Sequence, residues 1–160
     1  LAQDPTLVGA RLGLAACAYQ TDNIKESRRL VNEVLQEDGQ NAQALGLRGI
    51  LQWREGFLAD AVEDCGEAVQ RSPDDPMLRK FYGIVLHARK RPDDALREMR
   101  KAVDLDPNDA EAKLNLAILL ATARKPQLDD ARKLYGEAVA GGVARDAALE
   151  RLLQPGEAQP

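Results

Sequence analysis

The stretch from residue 76 to residue 109, PMLRKFYGIVLHARKRPDDALREMRKAVDLDPND, carries the period that decides the fold. Its Gly83 stands 34 residues from Gly49 and from Ala117, and one further step back reaches Ala15. A second small row falls at Ser27, Ala61 and Ala95, and a third at Val34, Ala68 and Ala102, with the bulkier Val31, Cys65 and Met99 between them. In the last unit these rows return two places late, at Ala131, Tyr135 and Ala138, which puts a two-residue insertion near Lys125 to Asp130. Pro73 and Pro107 close their units, and Pro5 keeps their register. A fixed period of this length means stacked helical hairpins.

The small rows have a mechanical reason. Two antiparallel helices joined by a short turn approach backbone to backbone only where no large side chain intervenes. Each hairpin alone leaves an apolar face uncovered, and stacking buries it against the next. First helices are expected near residues 8–21, 42–55, 76–90 and 110–124, and second helices near 24–37, 58–71, 92–105 and 127–140. Gly56 lets the backbone reverse, and Pro92 and Pro126 are placed at helix starts, where a missing amide donor does no harm.

Phe81-Tyr82-Gly83, Asp94-Ala95, Lys101-Ala102 and Leu105-Asp106-Pro107-Asn108 together resemble the tetratricopeptide repeat, nearly complete in this one unit and followed in outline by three others. The resemblance covers residues 8 to about 145. It departs from the family where a large apolar residue is usual, at Arg11, Arg79 and Lys113. The resemblance implies an all-α, right-handed superhelix of about four hairpins, with units at 8–41, 42–75, 76–109 and 110–145 and a capping helix and tail over 146–160. It also implies a non-catalytic scaffold for protein–protein interaction.

Composition fits this class. Hydrophobic residues make up 44% of the chain and charged ones 30%, while aromatics are only 4%, as in an alanine- and leucine-rich helical protein. The apolar run around Leu116 to Leu120 is far too short to span a bilayer, so no membrane insertion is expected within these residues. A net charge of −4, with basic residues interleaved among acids, argues against nucleic acid as a partner. The Ala/Arg/Leu-rich style points to a bacterial protein.

Leu1 falls in register with Leu35, Val69 and Val103, so residues 1–7 read as the tail of a further repeat upstream. At the other end Ala147, Ala148, Leu149, Leu152 and Leu153 form an apolar stripe at helical spacing. It reads as a capping helix over 144–153, followed by a frayed tail. Leu153 takes the row of Ala15 and Gly49, where a leucine fits only if nothing packs closely on that side.

Residues for chemistry are sparse. One histidine cannot make a histidine pair, and Cys17 and Cys65 lack ligand spacing, so no metal site, cofactor or catalytic residue is expected. Cys65 sits in a core row. Asp93-Asp94 and Asp129-Asp130 fall in first helical turns, where carboxylates favour the helix dipole, and they recur with the repeat. The resemblance places first helices on a concave face and makes their outward rows the ligand-facing set. Those rows supply Leu12, Ala16, Tyr19, Leu47, Ile50, Trp53, Lys80, Phe81, Ile84, His87, Leu114, Asn115 and Ile118 as a groove for a protein or peptide segment with apolar anchors. Packing between adjacent hairpins, or cover by a neighbouring protomer, is the competing reading of Tyr19, Trp53 and His87. The paired lysine and asparagine of chaperone-binding carboxylate clamps are replaced by Leu12 and Ala16. An asparagine ladder like that of O-linked N-acetylglucosamine transferase repeats is likewise missing, with Gly13, Leu47 and Phe81 preceding the single Asn115. Two other functions fit the same sequence: a targeting or regulatory arm of an enzyme, and a module that forms homo-oligomers.

Overall fold

The computed structural model describes residues 5–154, and within them every regular element is a helix. In chain order these are α1 (Pro5–Gln20), α2 (Ile24–Glu37), α3 (Ala42–Glu55), α4 (Leu58–Arg71), α5 (Pro76–Ala88), α6 (Pro92–Leu105), α7 (Ala110–Ala121), α8 (Leu128–Ala140) and α9 (Ala147–Leu153). Four hairpins pair α1 with α2, α3 with α4, α5 with α6 and α7 with α8. Each first helix after α1 also packs on the second helix before it, so the hairpins stack into an all-α repeat superhelix.

The small rows sit where helices of one hairpin touch. A Cβ added at Gly49 would lie 2.5 Å from Cys65 Sγ and 3.1 Å from the Ala61 carbonyl oxygen. One at Gly83 would meet the Met99 methyl at 3.0 Å. In the first hairpin Ser27 replaces alanine, and its buried hydroxyl donates to the Ala15 carbonyl at 2.8 Å. That bond satisfies a group that would otherwise be costly to bury.

A second set of rows governs the turns. Asn41, Asp75 and Asp109, one repeat apart, each cap a first helix by accepting a backbone amide. The same place is Leu7 in the first unit, which cannot cap, and α1 runs back to Pro5 instead of starting at 8. Asp22, Gly56 and Lys90 share another row, and all three take a left-handed φ of 62°, 89° and 58°. Three hairpins close with an amide bonding the carbonyl five residues back: Asn23 to Ala18, Phe57 to Gln52 and Arg91 to Leu86. In the fourth, Gln127 reaches back to Leu120, so the two extra residues are absorbed inside the turn. Pro126 therefore lies ahead of α8 and not at its first position, and α7 stops at Ala121, short of the expected 124.

The basic departures from the repeat pattern also find their reason. Arg11 pairs with Glu37, Arg79 with Glu98 and Lys113 with Glu137, each tying the first helix of a hairpin to its second. Arg48 adds a two-pronged bond to the buried Asp64 at 2.6 and 2.7 Å.

At the far end α9 lies on α7 and α8, later and shorter than the expected 144–153. Asp146 caps it, and Leu149 and Leu153 are buried. Leu153 thus occupies its row by packing into the core cluster of the last hairpins. The reading of residues 1–4 as an upstream tail, and of 155–160 as frayed, lies outside the described residues.

Candidate functional site: a cavity between the first helices

The ridges of α3, α5 and α7 enclose a cavity of about 340 Å³. Trp53 comes from the last turn of α3, Ile84 and His87 from α5, and Asn115 and Ile118 from α7, each of the two pairs one helical turn apart. Gly83, Ala88, Met99 and Leu119 complete the lining. Trp53 and Ile84 are half-buried, packed on core clusters but still open to the cavity, and His87 is exposed at its rim. The result is an apolar chamber with one amide and one imidazole beside it. Its chemistry suits an apolar side chain together with a polar backbone group, and the arrangement has no nucleophile paired to a base.

The other expected groove residues divide into two groups. Leu12, Leu47, Ile50 and Phe81 are buried in one core cluster, so they do not line an open groove. Leu47 and Phe81 are covered by packing in that cluster, while Asn115 of the same row lines the cavity. Ile50 is covered in the same cluster, and it is only 1% exposed. Ala16, Tyr19, Lys80 and Leu114 remain partly exposed but lie outside the cavity.

Two of these carry local electrostatics. The Arg54 guanidinium stacks over the Tyr19 ring, 5.3 Å from its centre, and pairs with Asp22 at 2.6 Å. Burial pushes the Tyr19 hydroxyl above its ordinary range, only partly opposed by the positive charge of Arg54. Lys80 is bound at 2.7 Å to Asp109 and at 3.2 Å to Glu111. Burial alone would lower its pKa, but the two carboxylates outweigh it and hold the ammonium charged. Lys80 is thus neutralised from within, which removes it as a clamp for a carboxylate.

Sequence reasoning missed Gly83, Ala88, Met99 and Leu119 as lining residues; it had placed Gly83 and Met99 in packing rows and had given Ala88 and Leu119 no role. The rows of Gly83 and Met99 serve both tasks, since the cavity reaches down to the contact between α5 and α6. Among the described residues no group of three or more His, Cys, Asp or Glu side chains is gathered to hold a metal, and no helix is long and apolar enough to cross a membrane.

Sequence profiles described as tetratricopeptide repeat match residues 1–51, 47–110 and 83–147. No curated protein matches the sequence. Among solved structures, an O-GlcNAc transferase of Thermobaculum terrenum is similar at 23% identity and a TM-score of 0.76 over 88% of this chain, which spans 27% of that protein. The pilF protein of Pseudomonas aeruginosa matches at 24% identity and a TM-score of 0.71, covering 93% of this chain and 67% of its own. YrrB, described as a tetratricopeptide protein with an unusual peptide-binding site, matches at 20% identity and a TM-score of 0.62, over 82% of this chain and 67% of its own. At these identities the likeness is one of fold.

Proposed function

Because the chain belongs to the tetratricopeptide repeat family, with matches along most of its length, we propose that it is a non-catalytic scaffold holding a peptide or protein segment against α3, α5 and α7. The observation that carries this reading is the cavity beside Trp53, which is open, largely apolar and built by three successive hairpins. An apolar anchor of the partner enters it, while Asn115 and His87 meet the partner's backbone at the mouth. Trp53 supplies a large contact surface at little entropic cost, as residues at binding hot spots do. The ligand is an extended or helical segment with apolar anchors, and its charge matters little because Lys80 and Arg54 are already paired. The peptide-binding site named for the similar YrrB supports the same reading.

Peptides selected from a random displayed library, titrated calorimetrically, test it. Trp53→Ala should weaken the selected peptides by about 2 kcal/mol or more, with helical circular dichroism unchanged. Equal affinity for the variant would refute it.

A second reading, the targeting or regulatory arm of an enzyme, draws support from the transferase neighbour, of which this chain spans about a quarter. Both readings use the same cavity and differ in what lies beyond residues 1–160.

A further inference from the structure

The cavity at Trp53 opens where the stack loosens. α3 packs directly on α5, but contact between α5 and α7 is slight. The first helices line it from their middle and C-terminal turns, and Ala88, the last lining residue of α5, is followed at once by Arg89 and Lys90. α7 ends at Ala121, and the turn after it carries Arg124 and Lys125. The mouth of the cavity is therefore flanked by two turns that each present adjacent cations.

These four side chains differ from the cations of the groove. Lys80 and Arg54 are neutralised by carboxylates. Arg89, Lys90, Arg124 and Lys125 are exposed, and none of them forms an ion pair among the described residues. Of the carboxylates nearby, Asp94 is taken by Arg91 and Arg97, and Asp129 by Arg132. Asp93 and Asp130 remain, in the first turns of α6 and α8, where the helix dipole offsets part of their charge. The free cations also follow the cavity and not the repeat. Lys90 and Arg124 share one row, and the two earlier turns hold Asp22 and Gly56 at that place. Lys90 stays there in a left-handed conformation, φ 58°, that glycine would adopt more freely.

We propose that these two turns bind the acidic flank of a partner segment: an apolar anchor fills the cavity, and aspartate or glutamate side chains beside it pair with Arg89, Lys90, Arg124 and Lys125. The proposal rests on the reading of the cavity given above. Charge matters little for the stretch lying on the groove floor, where Lys80 and Arg54 are neutralised, and it matters where the partner leaves the groove. Further repeats at either end of the stack would leave the turns open, because hairpin turns lie along the edge of a stack and not on its end faces. Exposed ion pairs are individually weak, so the turns select among apolar segments more than they supply affinity.

A selected peptide without charged side chains, one that Trp53→Ala weakens, tests this when remade with four glutamates or four serines added at either end. At low salt the glutamate extension at one end should bind about fivefold tighter than the serine extension, and added salt should shrink the gain. Arg89→Glu combined with Lys125→Glu, both at exposed positions, should abolish the gain and leave the affinity of the serine peptide unchanged. Trp53→Ala should weaken both peptides and preserve their ratio. No gain at either end, or a gain that survives the double variant, overturns the proposal while the cavity reading stands. Selected peptides that all ignore Trp53→Ala overturn both. Vesicles rich in phosphatidylserine that bind the chain through the same two residues, with no gain from the glutamates, would assign the turns to a membrane surface and overturn the proposal as well.

Discussion

Gly49 and Gly83 share a row, but the structure gives them different tolerances. A methyl at Gly49 meets Cys65 Sγ and two backbone atoms of α4, the Ala61 carbonyl oxygen and the Cys65 amide at 3.2 Å, none of which can withdraw cheaply. At Gly83 the nearest atom is the end of the flexible Met99. Gly49→Ala should therefore destabilise by about 1–3 kcal/mol, measured by urea unfolding, and Gly83→Ala by clearly less. Cys65 is fully buried, and burial pushes its thiol far above the ordinary range, so it should resist a thiol reagent until the chain unfolds. Burial alone would raise the carboxyl of Asp109, but Lys80 and the Ala112 amide outweigh it and hold the carboxyl below its usual range. A carboxyl lowered in this way contributes stability that is complete above the ordinary carboxylate pKa and is lost as pH falls through the folded value. Asp109→Asn keeps the cap but not the charge. Its deficit against the parent should be largest near neutrality and shrink below about pH 4, in urea midpoints taken across the acid range. The small rows were readable in the sequence because their spacing is fixed. The partners of Arg11, Arg79 and Lys113 were not, because ion pairs join positions whose separation varies, from Arg79 to Glu98 in one hairpin and Arg11 to Glu37 in another.

Helix ends show what fixes an element. The row of Asp22, Gly56 and Lys90 must adopt a left-handed φ to reverse the chain, and only Gly56 does so freely. Lys90→Gly should stabilise the protein by about 0.5–1 kcal/mol, seen as a raised urea midpoint. The capping row explains why α1 extends past its expected start, and the closing bond from Gln127 to Leu120 spans two residues more than those of the other hairpins. The seat of α9 was only half legible. Its apolar stripe announced a helix, but not that Tyr135 would hold it by accepting the Asp146 amide at 2.7 Å and facing Glu150 at 3.3 Å. Tyr135→Phe removes both partners from a buried position, and should cost about 1–2 kcal/mol in thermal or denaturant unfolding.

At the scale of the whole molecule, stacking decides which outward rows remain available. The sequence named the first helices as the ligand-facing side, and Trp53, Ile84, His87, Asn115 and Ile118 do converge on one cavity. It overcounted at Leu12, Leu47, Ile50 and Phe81, because a row's exposure depends on how far each hairpin leans onto the last, which periodicity alone does not encode. Trp53 is the only tryptophan of the chain, so its fluorescence reports on the cavity without labelling. The decisive measurement is a fluorescence titration of the monomeric protein with a selected peptide, followed with a soluble quencher. A partner anchored in the cavity should shift the emission to the blue and protect it from the quencher as the site saturates. An emission already blue and protected in the free protein, or one unmoved at saturation, would contradict a groove centred on Trp53.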